Sequence, residues 1–343
     1  MSEDSKNLKD YIENADKIFI STHNGADVDA ITSCLLMVHA CKKYFEKDVD
    51  FTFTSEFTHS SDKLEYGYLW ELMKRRESNQ DLDISDVDLV ILTDVASLVR
   101  AFKENYEVDD NAKTISIDHH LIYDYEQEKL DLSINNRLSS AAEQVWTTIY
   151  EILGEDWLND EYVAELTQLG ILSDTNRFLY EVVKPSTYDV MAKITKVKLV
   201  PAEPVFMKLN SFPPTSMKVL VELIENTVID EEMCYSTLSK EFIEENGLNT
   251  LDRNRASSMY LNDFMRSIDG VGWGFLIKES MNRKGEFKVS FRSTNLSRPV
   301  NDIAELFGGG GHKNAAGGVE FKDSSMEEVI KTILEGIRSL DIK

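Results

Sequence analysis

No apolar run of about 18 residues, the length a membrane-spanning helix needs, occurs anywhere in the 343-residue sequence. The opening residues, Met1-Ser-Glu-Asp-Ser-Lys6, offer neither a basic n-region nor an apolar h-region, so no secretory signal is expected. Cysteine is scarce: the chain holds three, Cys34, Cys41 and Cys234. Cys34 and Cys41 fall in one predicted helix, about 10 Å apart at the helical rise, too far for a disulfide. No Cys-x-x-Cys pair exists, and the pattern is that of a reduced, cytoplasmic protein.

Positive charge is also short. Against 61 acids stand 37 Lys and Arg residues, a net charge of -24. Such a field repels polyanions, and no basic stripe of the kind that tracks a long nucleic acid is visible at whole-chain scale. Long double-stranded nucleic acid and membranes are therefore not expected partners, whereas a small substrate is. The Walker A pattern is missing as well. Of six prolines, five crowd between Pro185 and Pro214, where they interrupt regular structure and mark an interdomain connector with a short helix inside it.

What remains is an ordinary globular composition, 42% hydrophobic and 29% charged with a mean hydropathy of -0.31, long enough for two domains. The first half alternates strand and helix. Lys17–Thr22, Phe51–Thr54, Asp88–Thr93 and Thr114–Ile117 read as strands. Helices are expected over about 30–45, from the capping box Ser140-Ala-Ala-Glu143 to about Leu153, and over about 159–172. This alternation argues for an α/β fold with an open, mainly parallel, doubly wound sheet. The second half changes rhythm. A strand at Met233–Leu238 and a polar helix over about 254–268 precede a hairpin of Gly274–Ile277 and Phe287–Phe291. A short helix, about 300–307, then runs into a glycine run, and a final amphipathic helix covers about 325–340. The expected division is 1–190, a connector over 191–215, and a smaller mixed α/β domain over 216–343.

Three of the predicted strands end in similar residues. The first runs into His23-Asn-Gly-Ala-Asp27-Val-Asp29, the third into Asp94 and the fourth into Asp118-His119-His120. In an open α/β sheet, ligands bind at the carboxyl ends of the strands. Any one of these aspartates alone reads as an N-cap or turn residue. Together, so many carboxylates repel one another unless positive charge lies between them. Carboxylate oxygen with imidazole nitrogen, and no thiolate, suits Mn²⁺, with Mg²⁺ as the poorer alternative. Asp174, just after a predicted helix, is a further candidate for the shell. His39 and His59 read as a helix residue and a surface residue.

A second signal is Gly308-Gly309-Gly310-Gly311-His312-Lys313-Asn314. Consecutive glycines let backbone N–H groups converge on an anion as a nest, and His312 and Asn314 add donors. Between Lys278 and Lys313 the local charge turns positive, with seven bases against four acids. Arg283 and Lys284 read as a solvated hairpin face. Arg292 follows a buried-strand pattern and is expected to point toward the glycine run, where an arginine suits bidentate phosphate binding.

His23-x-x-x-Asp27-x-Asp29, Asp94 after a strand, Asp118-His119-His120 and Ser173-Asp174-Thr175 resemble the successive motifs of the DHH phosphoesterases. Lys288–Ser293 and Gly308–Gly318 resemble the associated C-terminal DHHA1 substrate domain, and the closest branch looks like the bacterial nano-RNase and pAp phosphatase group. The resemblance implies a DHH domain facing a DHHA1 domain across a cleft, and two Mn²⁺ ions. His23, Asp27 and Asp94 would hold one ion. Asp29, Asp94, His119 and Asp174 would hold the other, with Asp94 or Asp174 bridging. Asp118 would orient His119, His120 would face the substrate and assist the leaving oxygen, and Arg292 with Arg298 would stabilise the phosphoryl oxygens. Gly309, Gly310, Gly311, His312 and Asn314 would grip the terminal phosphate. Ala26, Val28 and Asn176 depart from the family pattern, where proline, a small residue and glycine are usual, but none removes a ligand.

The implied reaction is hydrolysis of short oligonucleotides, of 3'-phosphoadenosine 5'-phosphate (pAp), or of both, by water activated between two ions. Hydrolysis of cyclic or linear dinucleotides is the nearest alternative. Pyrophosphate or polyphosphate hydrolysis and an inactive nucleotide-binding module are further ones. A homodimer is compatible with this reading.

Overall fold

The computed structural model describes residues 1–53, 74–75, 81–102, 106–120, 130–201, 212–294 and 298–341. It divides into two compact units, Met1–Asn210 and Ser211–Lys343. The division falls inside the segment expected to connect the domains. The short helix expected within that connector, the end of the second expected strand at Thr54, and His59 lie outside the described residues.

The first unit opens with helix α1 (Glu3–Asn14) and is built on a parallel six-stranded sheet. Its strands are β1 (Lys17–Thr22), β2 (Asp48–Phe53), β3 (Lys74–Arg75), β5 (Leu89–Thr93), β7 (Lys113–Ile117) and β8 (Leu132–Ile134). β4 (Leu82–Ile84) and β6 (Tyr106–Val108) form a separate parallel pair. The sheet order is β3-β2-β1-β5-β7-β8, so the winding reverses between β1 and β5. That reversal is the topological switch point where open α/β sheets bind ligands.

The central strands are near-continuous apolar runs, as a sheet covered on both faces requires. Alternation along each strand sorts them into two cores. Ile18, Ile20, Leu89, Ile91, Ile115 and Ile117 pack with helices α2 (Val28–His39), α4 (Ala141–Leu153), α5 (Glu161–Asp174) and α6 (Pro185–Val197). Phe19, Val90 and Leu92 face the other way, against α3 (Leu98–Phe102). α2 ends earlier than expected and passes into a π-helical turn, Ala40–Tyr44. α6 spans the boundary expected at 190 and buries Val190 and Ile194 in the first core.

The second unit has a mixed sheet in the order β13-β14-β12-β11-β10-β9. The strands are β9 (Val228–Asp230), β10 (Met233–Leu238), β11 (Trp273–Glu279), β12 (Phe287–Ser293), β13 (Gly310–His312) and β14 (Ala315–Phe321). Only the β10–β11 pair is parallel; the other pairings are antiparallel. One face packs against α9 (Val300–Leu306) and the final helix α10 (Met326–Asp341). α10 buries Val329, Ile333 and Ile337 at four-residue spacing, the stripe of an amphipathic helix. The other face packs against α7 (Ser216–Glu225) and α8 (Thr250–Met259). α8 continues through a π-helical turn, Tyr260–Phe264.

Part of the glycine run is an edge strand rather than a free loop. Gly310–His312 is strand β13, paired with β14 through Gly310↔Gly317, Gly311↔Ala316 and His312↔Ala315. Just before it, the amides of Gly308 and Gly309 donate to Glu305 O and Ala304 O and close the end of α9. Long-range strand pairing and helix capping both use some of the backbone groups that a local reading left available for a phosphate. Glycine is needed here for close approach: a Cβ on Gly309 would lie 2.2 Å from Gly317 O, and one on Gly311 2.7 Å from Ala315 O.

Candidate metal centre

β1, β5 and β7 are adjacent parallel strands, and their carboxyl ends deliver His23, Asp94 and Asp118–His120 to one edge of the sheet. α2 begins at that edge. Asp27 is its N-cap, accepting from the Ala30 amide at 3.0 Å, and Asp29 lies in its first turn. α5 supplies Asp174 as its final residue rather than from the loop that follows.

Asp94 is the hinge of the arrangement. It is a buried, non-glycine residue with a φ of +59°, in the left-handed region that costs about 1–2 kcal/mol for most residues and that aspartate tolerates better. Its two oxygens point two ways. Oδ2 lies 3.4 Å from His23 Nε2 and Oδ1 lies 3.4 Å from His119 Nε2. His119 Nε2 is also 3.5 Å from Asp174 Oδ2 and 3.9 Å from Asp29 Oδ2. Two groups of ligand atoms result, each mutually within 4.8 Å: His23–Asp27–Asp94 and Asp29–His119–Asp174. A third grouping, Asp94–Asp118–His119–His120, overlaps them.

Two backbone amides hold Asp29. Ala141 N donates to Oδ2 at 2.7 Å and Ala142 N to Oδ1 at 3.0 Å, which places the carboxylate on the N-terminus of α4. That end of a helix favours negative charge. The capping box that announced α4 is only half formed. Ser140 caps the Glu143 amide, but the Glu143 carboxylate turns to the Ser139 amide and to Thr187 Oγ1.

Asp118 does not orient the His119 ring. Its Oδ1 accepts from the backbone amides of His119 and His120, at 2.7 and 3.2 Å, and from His120 Nδ1 at 2.8 Å. Asp118 therefore fixes the ring of His120, whose backbone carbonyl in turn accepts from Asn135 Nδ2 at 2.8 Å.

Electrostatics follow from crowding. Burial pushes the Asp27 and Asp29 carboxyls up, and neighbouring carboxylates add to the effect; Asp174 is raised to about 6 for the same reasons. Burial alone would lower the histidines, but the nearby Asp94 carboxylate outweighs it, raising His23 to about 9 and His119 to about 10. His120 moves up against its burial because Asp118 holds its proton, and Asp118 moves down in return. Without an ion, protons on the imidazoles offset part of the cluster's negative charge.

The residues fit a pair of hard divalent ions. Asp94 Oδ1 and His119 Nε2 are fully buried without a partner in hydrogen-bond geometry, a costly state for polar atoms. The donor set is carboxylate oxygen and imidazole nitrogen, with no sulfur, since all three cysteines are buried in the cores. His23, Asp27 and Asp94 would hold one ion, and Asp29, Asp94, His119 and Asp174 the other. The departure at Asn176 is explained by a φ of +46°, a conformation glycine adopts freely and asparagine tolerates. His39 stands apart, bonded through Nε2 to Asp160 at 2.8 Å.

In the second unit, Arg292 pairs across β12 and β14 with Ala315, next to the glycine hairpin. Its Nε donates to Asn262 Oδ1 at 2.8 Å and one terminal nitrogen to Phe291 O at 2.9 Å. Sequence reasoning missed Asn262, which sits in the π-helical turn after α8; such turns recur at functional sites. The Arg298 guanidinium lies over the Trp273 ring, 5.1 Å from its centroid. Asn314 occupies the turn after β13. Its carbonyl accepts from the Ser293 amide at 3.0 Å, and its buried Oδ1 has no partner among the described residues.

Residues 17–171 match the DHH family, N-terminal domain, and residues 234–339 match the DHHA1 domain. The Streptococcus mutans protein named probable bifunctional oligoribonuclease and PAP phosphatase NrnA is 27% identical, over 73% of this chain and 77% of its own. Its Bacillus subtilis counterpart, named bifunctional oligoribonuclease and PAP phosphatase NrnA, is 25% identical over 88% of each chain. Among solved structures, an exopolyphosphatase-related protein from Bacteroides fragilis superposes with a TM-score of 0.77 at 22% identity, covering 99% of this chain and 98% of that one. That likeness establishes the fold.

Proposed function

Because the chain belongs to the DHH family and carries a DHHA1 domain, we propose that it is a phosphoesterase of the oligoribonuclease and pAp phosphatase kind. It acts on short oligonucleotides and on 3'-phosphoadenosine 5'-phosphate with two divalent ions, Mn²⁺ in preference to Mg²⁺, in the cytoplasm. The observation that carries this reading is that Asp94 turns one oxygen toward His23, in one ligand group, and the other toward His119, in the second.

Bound there, two ions supply Lewis acidity toward the phosphoryl oxygens and lower the pKa of a water. The chain's own residues do the rest. Asp29, anchored on the Ala141 and Ala142 amides, keeps its side of the site rigid. His120 gives its Nδ1 proton to the hydrogen bond with Asp118, which leaves Nε2 to carry a second proton toward the departing oxygen. The Asp118 carboxylate favours the protonated ring, against the effect of its burial. Arg292, aimed by Asn262, is assigned to a substrate phosphate, and Arg298, His312, Asn314 and the backbone of Gly309–Gly311 are assigned to the same task.

The test is turnover with Mn²⁺ on an RNA dinucleotide, a long oligonucleotide, pAp, cyclic di-AMP and pyrophosphate. Fast cleavage of the dinucleotide and pAp, with little on the long strand, is the expected result. Activity confined to cyclic di-AMP or to pyrophosphate would replace the proposed substrate class. Silence on all five, with nucleotide still bound, would mean that the site serves recognition.

A further inference from the structure

Gly170 stands in the interior of α5, where glycine is about 0.5–1 kcal/mol worse than alanine. Its surroundings explain its presence. A Cβ at this position would lie 2.4 Å from Ala142 Cβ, 2.6 Å from Thr32 Oγ1 and 2.8 Å from Asp29 Oδ1. Ordinary contact between such atoms is about 3.5–4 Å, so all three neighbours would have to move. They belong to α2 and α4, the two helices that carry and anchor Asp29. The Asp29 oxygen nearest the missing methyl is the one that accepts the Ala142 amide. One turn further along α5, about 6 Å at the helical rise, Asp174 reaches His119.

We propose that Gly170 is a positioning residue for the second ion group. By having no side chain, it sets how closely α5 approaches α2 and α4, and so brings Asp29 and Asp174 together on His119. The His23–Asp27–Asp94 group shares no atom with that junction. The inference rests on the two-ion reading above and names the element that spaces one half of the site.

Two measurements on wild type and on Gly170→Ala test it. Mn²⁺ titration of the chelated proteins, by calorimetry or electron paramagnetic resonance, counts ions and affinities. Amide exchange of the metal-free proteins follows Ala141 and Ala142. The expected result is two ions on wild type. On the folded variant, one ion remains unchanged and the other is weakened about 10–100-fold, the usual cost of disturbing the support of a ligand, with faster exchange at both amides. Two ions at wild-type affinity with unchanged exchange in G170A would overturn the proposal while leaving the two-ion reading intact. Failure of wild type to bind two ions would sink that reading instead, and the exchange data would still report on the junction.

If G170A does not fold, the variant G170A/A142G/T32A removes two of the three clashes and keeps the one with Asp29. Selective weakening of one ion in that refolded variant supports the proposal. Equal loss of both ions, or full recovery of both, refutes it by reducing Gly170 to a core-packing residue.

Discussion

In the first unit the candidate ligands sit at the carboxyl ends of three neighbouring parallel strands and at the ends of two helices, whereas in the second the phosphate-binding candidates sit on and beside the antiparallel strands β12, β14 and β13. The first arrangement buries Asp29, Asp94 and Asp118 almost completely and secures Asp29 and Asp118 with backbone amides. The second leaves Arg292 half-buried, supported by a side-chain amide and a backbone carbonyl among its partners. Parallel strands converge chemistry by topology, because every strand ends on the same edge. An antiparallel sheet sends alternate strand ends to opposite edges, so its functional groups must be gathered by hairpins and by neighbouring helices. The first unit should therefore fail abruptly when a ligand is lost, and the second should fail by degrees.

The largest expected effect is at Asp94. Asp94→Ala removes the residue shared by both ligand groups, and turnover should fall by about a thousandfold or more, as several kcal/mol of transition-state stabilisation disappear. Metal titration should show both ions weakened. Loss of only one would break the idea that Asp94 joins the groups.

Next comes Asp118→Asn. Because Asp118 grips the His120 ring rather than that of His119, both ions should bind as in wild type while kcat drops about 10²-fold, the scale of general acid catalysis. The pH profile of kcat should shift to lower pH, since His120 loses the carboxylate that raises it. A lost ion with an unmoved profile would return Asp118 to the support of His119.

In the second unit, Arg292→Lys should raise KM about tenfold, through loss of a charge-assisted hydrogen bond worth about 1.5–3 kcal/mol. Asn262→Ala should do the same more weakly, because it removes only the acceptor that aims the guanidinium. Ion binding should stay unchanged in both, as steady-state kinetics and metal titration would show. A fall in kcat at constant KM would contradict the assignment to substrate binding.

The mildest effect is on pH. His23 and His119, raised to about 9 and 10, are protonated in the metal-free protein at neutral pH, and ions must displace those protons. Mn²⁺ affinity should rise with pH until about 9 to 10, with protons released in calorimetry. For the chelated protein the sign is opposite. Both folded values lie above the unfolded value of about 6.5, so the protonated rings contribute stability that is complete below that pH and lost as pH climbs through 9 and 10. A melting temperature in chelator that does not fall over this range would count against the raised values.

Much of this was legible in the sequence where local pattern and topology coincide. The strand Lys17–Thr22 and the strand Met233–Leu238 lie where their apolar patterns place them, and the strand-terminal positions of His23, Asp94 and Asp118–His120 follow from strand alternation. What escaped depended on partners far away in the chain. The amides that hold Asp29 come from residues 112 and 113 positions later. The glycine run looked like a free loop because its pairing with β14 is a tertiary fact, and Asn262 meets Arg292 across 30 residues. Gly170 offered a signal, a glycine inside a helical pattern, but only packing could say which neighbours it admits.

Crystals grown with Mn²⁺ and measured at the manganese absorption edge would test the central claim most directly. Two anomalous peaks about 3.5–4 Å apart, one against His23, Asp27 and Asp94 and the other against Asp29, Asp94, His119 and Asp174, are the predicted result. A single peak, or ions held elsewhere with Asp94 touching neither, would contradict it.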